Sequence, residues 1–343
     1  MADSEKQTIV RDIIVVGTSA GGVEALTELV KYLPPNLNAS VIIVLHLPSH
    51  SPNVLPDILN RGSRLPVFLA QDGQAIEKGH IYVAPSDRHL LVKPGYLQLW
   101  QGPKENGSRP AIDPLFRTAA RAYGQRLVAV LLTGLLDDGT AGLMAVKMRN
   151  GVAIVQHPDD ALYAPMPSNA IANVDGIDYI LPLSEIPSTL AKLANTPKEV
   201  EPEKPVTREM ELESEMANFD IEELENDAIP GKPSPFVCPD CGGSLWEIED
   251  GKLLRFRCHV GHAFSAKTLL AKQSDKLEDA LWIATRALQE KATLADRMAS
   301  RMRDRNLSLA AQRLEQQSED AQQQSEIIQN VLKMLNGKSA ESN

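Results

Sequence analysis

The sequence predicts an α/β fold: a doubly wound, mostly parallel sheet, extended by a small cysteine-bearing module and an α-helical hairpin tail. Three features carry that expectation. Ile13–Val16, Val41–Leu45 and Arg126–Leu132 are dense apolar runs of strand length, the pattern of strands buried on both faces of a parallel sheet. Helical spacing alternates with them, first at Val23, Leu26, Leu29, Val30 and Leu33, until Pro34-Pro35 stops the helix. All three cysteines fall in one short segment late in the chain, behind an acidic, proline-rich stretch.

The remaining elements follow in order. Leu55–Asn60 reads as a short helix and Val67–Leu69 as a short strand. Gly79–Pro85 and His89–Val92 read as the strands of a hairpin with Tyr96–Trp100 after them, a local antiparallel element. Then come a helix over Asp113–Tyr123, the Arg126–Leu132 strand and a helix over Gly139–Arg149. A strand over Val152–Gln156, a helix start at Pro167–Ile171, a strand at Tyr179–Leu181 and a helix over Ile186–Leu193 complete the domain, which is placed at 1–195. Residues 196–235 read as a disordered linker with one short helix near Ile221–Leu224, 236–272 as the zinc-binding module, and 273–343 as the helical tail. In the tail, Leu277, Leu281, Ala284 and Leu288, continued by Leu294, Met298 and Met302, form one helical run. Leu307, Ala310, Leu314, Ala321, Ile328, Val331 and Leu335 form another, with Asn306 as the break. That tail suits either a docking arm or two helices packed on the small module.

At 343 residues the chain exceeds a typical single domain. No apolar run is long enough to span a bilayer, and Met1–Arg11 lacks a signal-peptide core, so a soluble, cytoplasmic protein without membrane insertion is expected. The net charge of −10 argues against general affinity for nucleic acid. Twelve acids and four bases between Thr196 and Phe236 account for most of that charge. Such composition, with six prolines, cannot bury enough apolar surface to order itself.

The chemistry is concentrated at strand ends. DIIVVGTSAGG (Asp12–Gly22) places Ser19 on a strand-to-helix turn, beside the free N–H groups of a helix N-terminus. A serine there can be a nucleophile, an ordinary N-cap, or part of a phosphate cradle. The G-x-x-x-G-G spacing and His46, where a ribose-binding acid would stand, match a dinucleotide site poorly. His46 ends the second strand, and Asp137-Asp138-Gly139 follow the third. In a doubly wound sheet these ends converge on one crevice. Serine, histidine and aspartate are the parts of a nucleophilic triad. Taken singly, His46 also fits a core histidine and Asp138 a helix cap.

These residues sit in a set of segments that resembles the catalytic domain of the chemotaxis protein-glutamate methylesterases, the CheB family. The matching stretches are GTSAGG (Gly17–Gly22), HLP (His46–Pro48), VAPSDRHL (Val83–Leu90), RPAIDPLF (Arg109–Phe116), LLTGLLDDGTAG (Leu131–Gly142) and MPSNAI (Met166–Ile171). The resemblance implies Ser19 as nucleophile, His46 as general base and Asp138 as the carboxylate, with Asp137 the weaker candidate. The backbone N–H groups of Ala20 and Leu135 are the implied oxyanion donors. Ala20 stands where the family commonly has Thr, and Leu135 where it has Met. No cofactor for catalysis is implied. The implied reaction is hydrolysis of glutamyl methyl esters on a chemoreceptor-like sensor, giving glutamate and methanol, with glutamine deamidation beside it. The implied partners are that methylated receptor and a methyltransferase of opposite action. Only Met1–Arg11 precede the domain, where the best-known members carry a phospho-receiver domain, so control by phosphorylation within the chain is not expected. The alternative is a catalytically weak adaptor that docks other signalling proteins through the zinc module and the tail.

The second constellation reads CPDCGG…FRCHVGHAFS. Cys238-x2-Cys241 with Cys258 and a histidine has the donor types of a tetrahedral structural zinc site. A redox CxxC would want a thioredoxin-like βαβ context, which is missing here. His262 is the expected fourth ligand, because His259 adjoins Cys258 and tends to point away. The segment resembles the zinc-ribbon-like extension found after some methylesterase domains of the same family. With a flexible linker before it, zinc removal is expected to unfold this module and to spare hydrolysis of a small ester.

Overall fold

The computed structural model describes residues 8–202, 231–250 and 253–339. The expected helix near Ile221–Leu224 and most of the expected linker lie outside them. The chain divides into two compact units, Met1–Leu269 and Leu270–Asn343.

The first unit is built on a seven-stranded parallel sheet. A short β1 (Thr8–Ile9) precedes β2 (Ile13–Thr18), α1 (Gly22–Tyr32), β3 (Ser40–Leu45), α2 (Leu55–Asn60), β4 (Val67–Leu69) and β5 (Ile81–Val83). The hairpin β6 (His89–Lys93) and β7 (Tyr96–Trp100) comes next. Then follow α3 (Ile112–Tyr123), β8 (Leu127–Leu131), α4 (Thr140–Met148), β9 (Val152–Gln156), α5 (Pro165–Asn173), β10 (Tyr179–Leu181) and α6 (Ile186–Asn195). Strand order is β10-β9-β8-β2-β3-β5-β4. Every residue of β2, β3, β8 and β9 is buried, as continuous apolar runs require. Alternate side chains feed the two faces. Ile13 and Val15 join a core with α3, α4 and α5, and Ile14 and Val16 join a core with α1, α2 and α6.

One strand pairing differs from the sequence expectation. Ile81–Val83 does not pair with His89–Val92. It lies inside the main sheet, parallel to both β3 and β4. The hairpin partner of His89–Lys93 is Tyr96–Trp100, with Lys93 opposite Tyr96. The reason is local: Pro94-Gly95 forms the two-residue turn, Gly95 taking φ 88°, which glycine adopts without strain. The chain also stays ordered past Thr196, where the linker was expected. β11 (Lys198–Glu199) pairs antiparallel with β1, and the Gln125 side chain donates to the Glu201 carbonyl at 2.6 Å.

A small four-stranded sheet completes this unit: β12 (Lys232–Val237), β13 (Ser244–Asp250), β14 (Leu253–Cys258) and β15 (Ala263–Ser265). It thus begins within the span expected to be linker. The second unit is helical. Helix α7 (Ala266–Asp304) enters it from the first unit, Asn306 turns the chain with φ 57°, and α8 (Ser308–Ser339) follows. The two helices pair along small residues. Thr285, Ala292, Ala295 and Ala299 are buried on one, and Ala311, Ser318, Ala321, Ser325 and Leu332 on the other. Ser318 Oγ donates to the Ala292 carbonyl at 3.1 Å. Leu277, Leu294 and Met298, expected in the seam, are exposed. Small side chains let the backbones approach more closely than leucines would, so the seam follows them.

Candidate active site

The sheet changes winding direction at β2, which has β3 on one side and β8 on the other. A crevice opens at the carboxyl ends of such strands. Thr133, just past β8, ties the β2–α1 turn in place. Its carbonyl accepts from the Ser19 N–H at 3.0 Å and from Thr18 Oγ1 at 2.9 Å. Its hydroxyl donates to the Ala20 carbonyl at 3.1 Å. Gly134 packs closely against this turn: a Cβ there would lie 2.4 Å from Met166 Cε and 3.0 Å from Ser19 Cβ.

Ser19, His46 and Asp138 meet at these ends. Ser19 Oγ lies 3.2 Å from His46 Nδ1, and His46 Nε2 lies 2.6 Å from Asp138 Oδ2. Asp138 is buried and draws donors from several elements. Its Oδ2 also accepts from the Ile112 N–H at 2.7 Å. Its Oδ1 accepts from the Asp113 N–H at 3.2 Å, the Gly139 N–H at 3.0 Å and the Asn106 amide at 2.8 Å. Burial alone would raise this carboxyl. The hydrogen bond and charge of His46, with the Ile112 and Asn106 donors, outweigh burial and hold it well below the usual range. Asp113 behaves oppositely. Burial, and next the Asp138 charge, push it well above the usual carboxylate range. The two neighbouring acids are thereby pushed in opposite directions, Asp138 down and Asp113 up. Asp137 points elsewhere, accepting from Ser265 Oγ at 2.6 Å and Thr268 Oγ1 at 3.1 Å.

The cysteines form a second cluster. One donor atom each from Cys238, Cys241, Cys258 and His262 lies within 4.8 Å of the others. Cys241 Sγ and Cys258 Sγ are 3.7 Å apart, and Cys258 Sγ is 3.5 Å from His262 Nδ1. Zinc–sulfur bonds of about 2.3 Å in a tetrahedron set the ligands about 3.8 Å apart, so the donors fit that ion. His259 is exposed and outside the cluster.

The small sheet does not stand apart from the α/β part, contrary to the expectation of a module beyond a flexible linker. Arg257 on β14 and Arg117 on α3 converge on one buried carboxylate, Glu105, at 3.4 Å and 2.8 Å. Burial would raise Glu105, but the Arg117 and Arg257 charges, with His89 and Arg255, hold it at about 2. A carboxyl with a depressed folded pKa stabilises the protein above its ordinary value and loses that contribution as pH falls to the folded value. Wild-type protein should therefore lose stability as pH falls from about 4.5 to about 2. Glu105→Gln should flatten that dependence. At neutral pH it should cost about 3–5 kcal/mol, because two buried guanidinium groups lose their counter-ion. Urea unfolding across pH checks both; a variant as stable as wild type at pH 7 would show that Glu105 does not hold the arginines.

A family model described as CheB methylesterase matches residues 14–190, just over half of the chain. The chain belongs to that family. The crystal structure of the Thermotoga maritima CheB methylesterase catalytic domain is similar, at 34% sequence identity and a TM-score of 0.52, covering 54% of this chain and 100% of that one. A Pyrococcus abyssi protein named protein-glutamate methylesterase/protein-glutamine glutaminase is 35% identical over 187 residues, 53% of this chain and 50% of its own length. The chain thus spans about half the length of that curated relative. A Leptospira interrogans protein with the same name, marked putative, is 36% identical over 183 residues and is covered over 94% of its length. The CheB match ends at residue 190, before the Cys/His cluster and both long helices.

Within the CheB frame, several residues around the site went unread in the sequence. Asp113 lies inside the RPAIDPLF stretch, and an acid facing into an apolar helix was its only signal. Asn106, Glu105, Ser265 and Thr268 carried none, since each acts through a contact distant in sequence.

Proposed function

We propose that this protein is a protein-glutamate methylesterase of serine type, and that the carrying observation is the Ser19–His46–Asp138 hydrogen-bonded chain at the mouth of the crevice. His46 Nδ1 takes the Ser19 proton as Oγ attacks the ester carbonyl carbon. Nε2–H stays hydrogen-bonded to Asp138, which stabilises the imidazolium. The ring nitrogens thus serve in the opposite sense to the chymotrypsin arrangement. The Ala20 and Leu135 N–H groups, which have no acceptor among the described residues, receive the oxyanion. Collapse of the intermediate expels methanol, which takes the proton from His46. Water, activated by the same imidazole, then frees glutamate and restores Ser19. Attack on a glutaminyl side chain would expel ammonia by the same path.

The exposed Leu135, Leu162 and Tyr163 stand beside the turns that carry the site, Leu162 against Gly21 and the Tyr163 carbonyl bonded to the Gly134 N–H. Such an apolar surface suits one face of a methylated receptor helix. The natural partners are that chemoreceptor-like sensor and the methyltransferase that loads it. No described helix is long and apolar enough to cross a membrane, and the reading places the protein in the cytoplasm. In the second cluster, Cys238, Cys241, Cys258 and His262 hold a structural zinc ion, which supplies folding energy and no chemistry.

Ser19→Ala tests the reading. Methanol release from a methylated receptor fragment should fall by roughly 10³-fold or more, with an unchanged melting temperature. Near-normal release from the folded variant would sink the serine-hydrolase reading.

A further inference from the structure

The Asp138 carboxylate owes its outer hydrogen bond to a residue that the C-terminal sheet holds. Asn106 Nδ2 donates to Asp138 Oδ1 at 2.8 Å and to Asp113 Oδ2 at 3.0 Å. A carboxamide fills nearly the same space when turned over, so sterics do not decide which end faces the acids. A half-turn would set Asn106 Oδ1 against two carboxyl groups. The Ser265 N–H, at the end of β15, donates to Asn106 Oδ1 at 2.9 Å and so fixes the amide with its NH2 toward Asp138.

The backbone is held by the same strand. The Asn106 N–H donates to the Ala263 carbonyl at 2.8 Å, and the Ala263 N–H donates to the Lys104 carbonyl at 3.3 Å. Glu105 and Ala263 form a parallel bridge. Asn106 itself sits at φ 49°, a left-handed conformation that asparagine tolerates better than most residues but that needs support from its surroundings. A second grip comes from the Ser265 and Thr268 hydroxyls on Asp137, the residue before Asp138. One short strand thus holds both the donor to the Asp138 carboxylate and its chain neighbour.

We infer that Asn106 is a positioning residue for Asp138, and that its orientation is set by docking of β15, so that the C-terminal sheet completes the active site. The inference rests on the triad reading above. Asn106 acts by keeping the carboxylate where His46 Nε2 needs it. Loss of that alignment lowers kcat and leaves substrate binding alone.

The test uses the full chain, methanol release from a methylated receptor fragment, and the rate at which a fluorophosphonate inactivates Ser19. Asn106→Ala should lower kcat and the inactivation rate roughly 10- to 100-fold with KM unchanged, the scale of a misplaced catalytic group. In an Asp138→Asn background the same substitution should cost little, because the group it positions is gone. Ser265→Pro deletes the donor to Asn106 and should lower kcat like Asn106→Ala. Ser265→Ala keeps that N–H and should lose less. Wild-type turnover and its loss in Ser19→Ala are read in the same assay, so failure of the hydrolase reading shows there first. With those intact, an Asn106→Ala kcat within about twofold of wild type overturns the inference. So does an equal loss in the Asp138→Asn background, which would mark a purely structural role.

Discussion

Asp138→Asn is expected to lower turnover by about 10⁴, the scale seen when a triad carboxylate becomes an amide. The direction follows from the donors around this carboxylate. Oδ1 receives three of them, from Asn106, Asp113 and Gly139. Oδ2 receives the Ile112 N–H and faces His46 Nε2. An amide would keep its oxygen on the three-donor side and turn its NH2 toward His46. Nε2 would then accept, and the ring proton would move to Nδ1, the nitrogen that must accept from Ser19. The variant should fold, though its NH2 now opposes the Ile112 N–H. Asp137→Asn should leave turnover much closer to wild type, because the Asp137 side chain is bound to Ser265 and Thr268 and not to His46. Steady-state methanol release separates the two. Equal losses, or the reverse order, would show that Asp137 and not Asp138 serves the histidine.

Metal removal should have the other large effect. Among the described residues the small sheet has a core of Cys238, Leu245, Phe256, Cys258, Phe264 and Leu269, too little to fold by itself. A structural zinc site supplies roughly 10–16 kcal/mol of apparent binding energy to a piece of this kind. Chelation of the full chain should therefore unfold it, with a change in Trp246 fluorescence from β13. From sequence, hydrolysis of a small ester was expected to survive this treatment. The docking of β15 on Asn106 and Asp137 reverses that expectation. kcat should fall roughly 10- to 100-fold and recover when zinc is restored, as for loss of a positioning contact. Elemental analysis should find one metal ion per chain, and Cys241→Ser should lose it. Metal-free protein with an ordered sheet would refute the site.

The residue pattern pointed to the α/β class, because Ile13–Val16 and Val41–Leu45 are continuous apolar runs of strand length that alternate with helical spacing, as strands buried on both faces of a parallel sheet do. It placed Ser19, His46 and Asp138 at the carboxyl ends of neighbouring strands, since strand ends are where apolar runs stop. The Cys238-x2-Cys241 spacing marked two members of the second cluster, because a knuckle is a local geometry; Cys258 and His262 followed from residue type alone. Tertiary structure alone decided the rest. Ile81–Val83 joined the main sheet because pairing is chosen by the partner, not by the strand's own composition. The helical seam ran along Ala292, Ala299 and Ser318 in preference to the leucines, because close backbone approach depends on both helices at once. The bond from Ser265 to Asn106 joins residues 159 apart in sequence, and the direction of a side-chain amide leaves no trace in periodicity. Local pattern records which residues must be buried or turned; it does not record which of two distant surfaces will supply a hydrogen-bond partner.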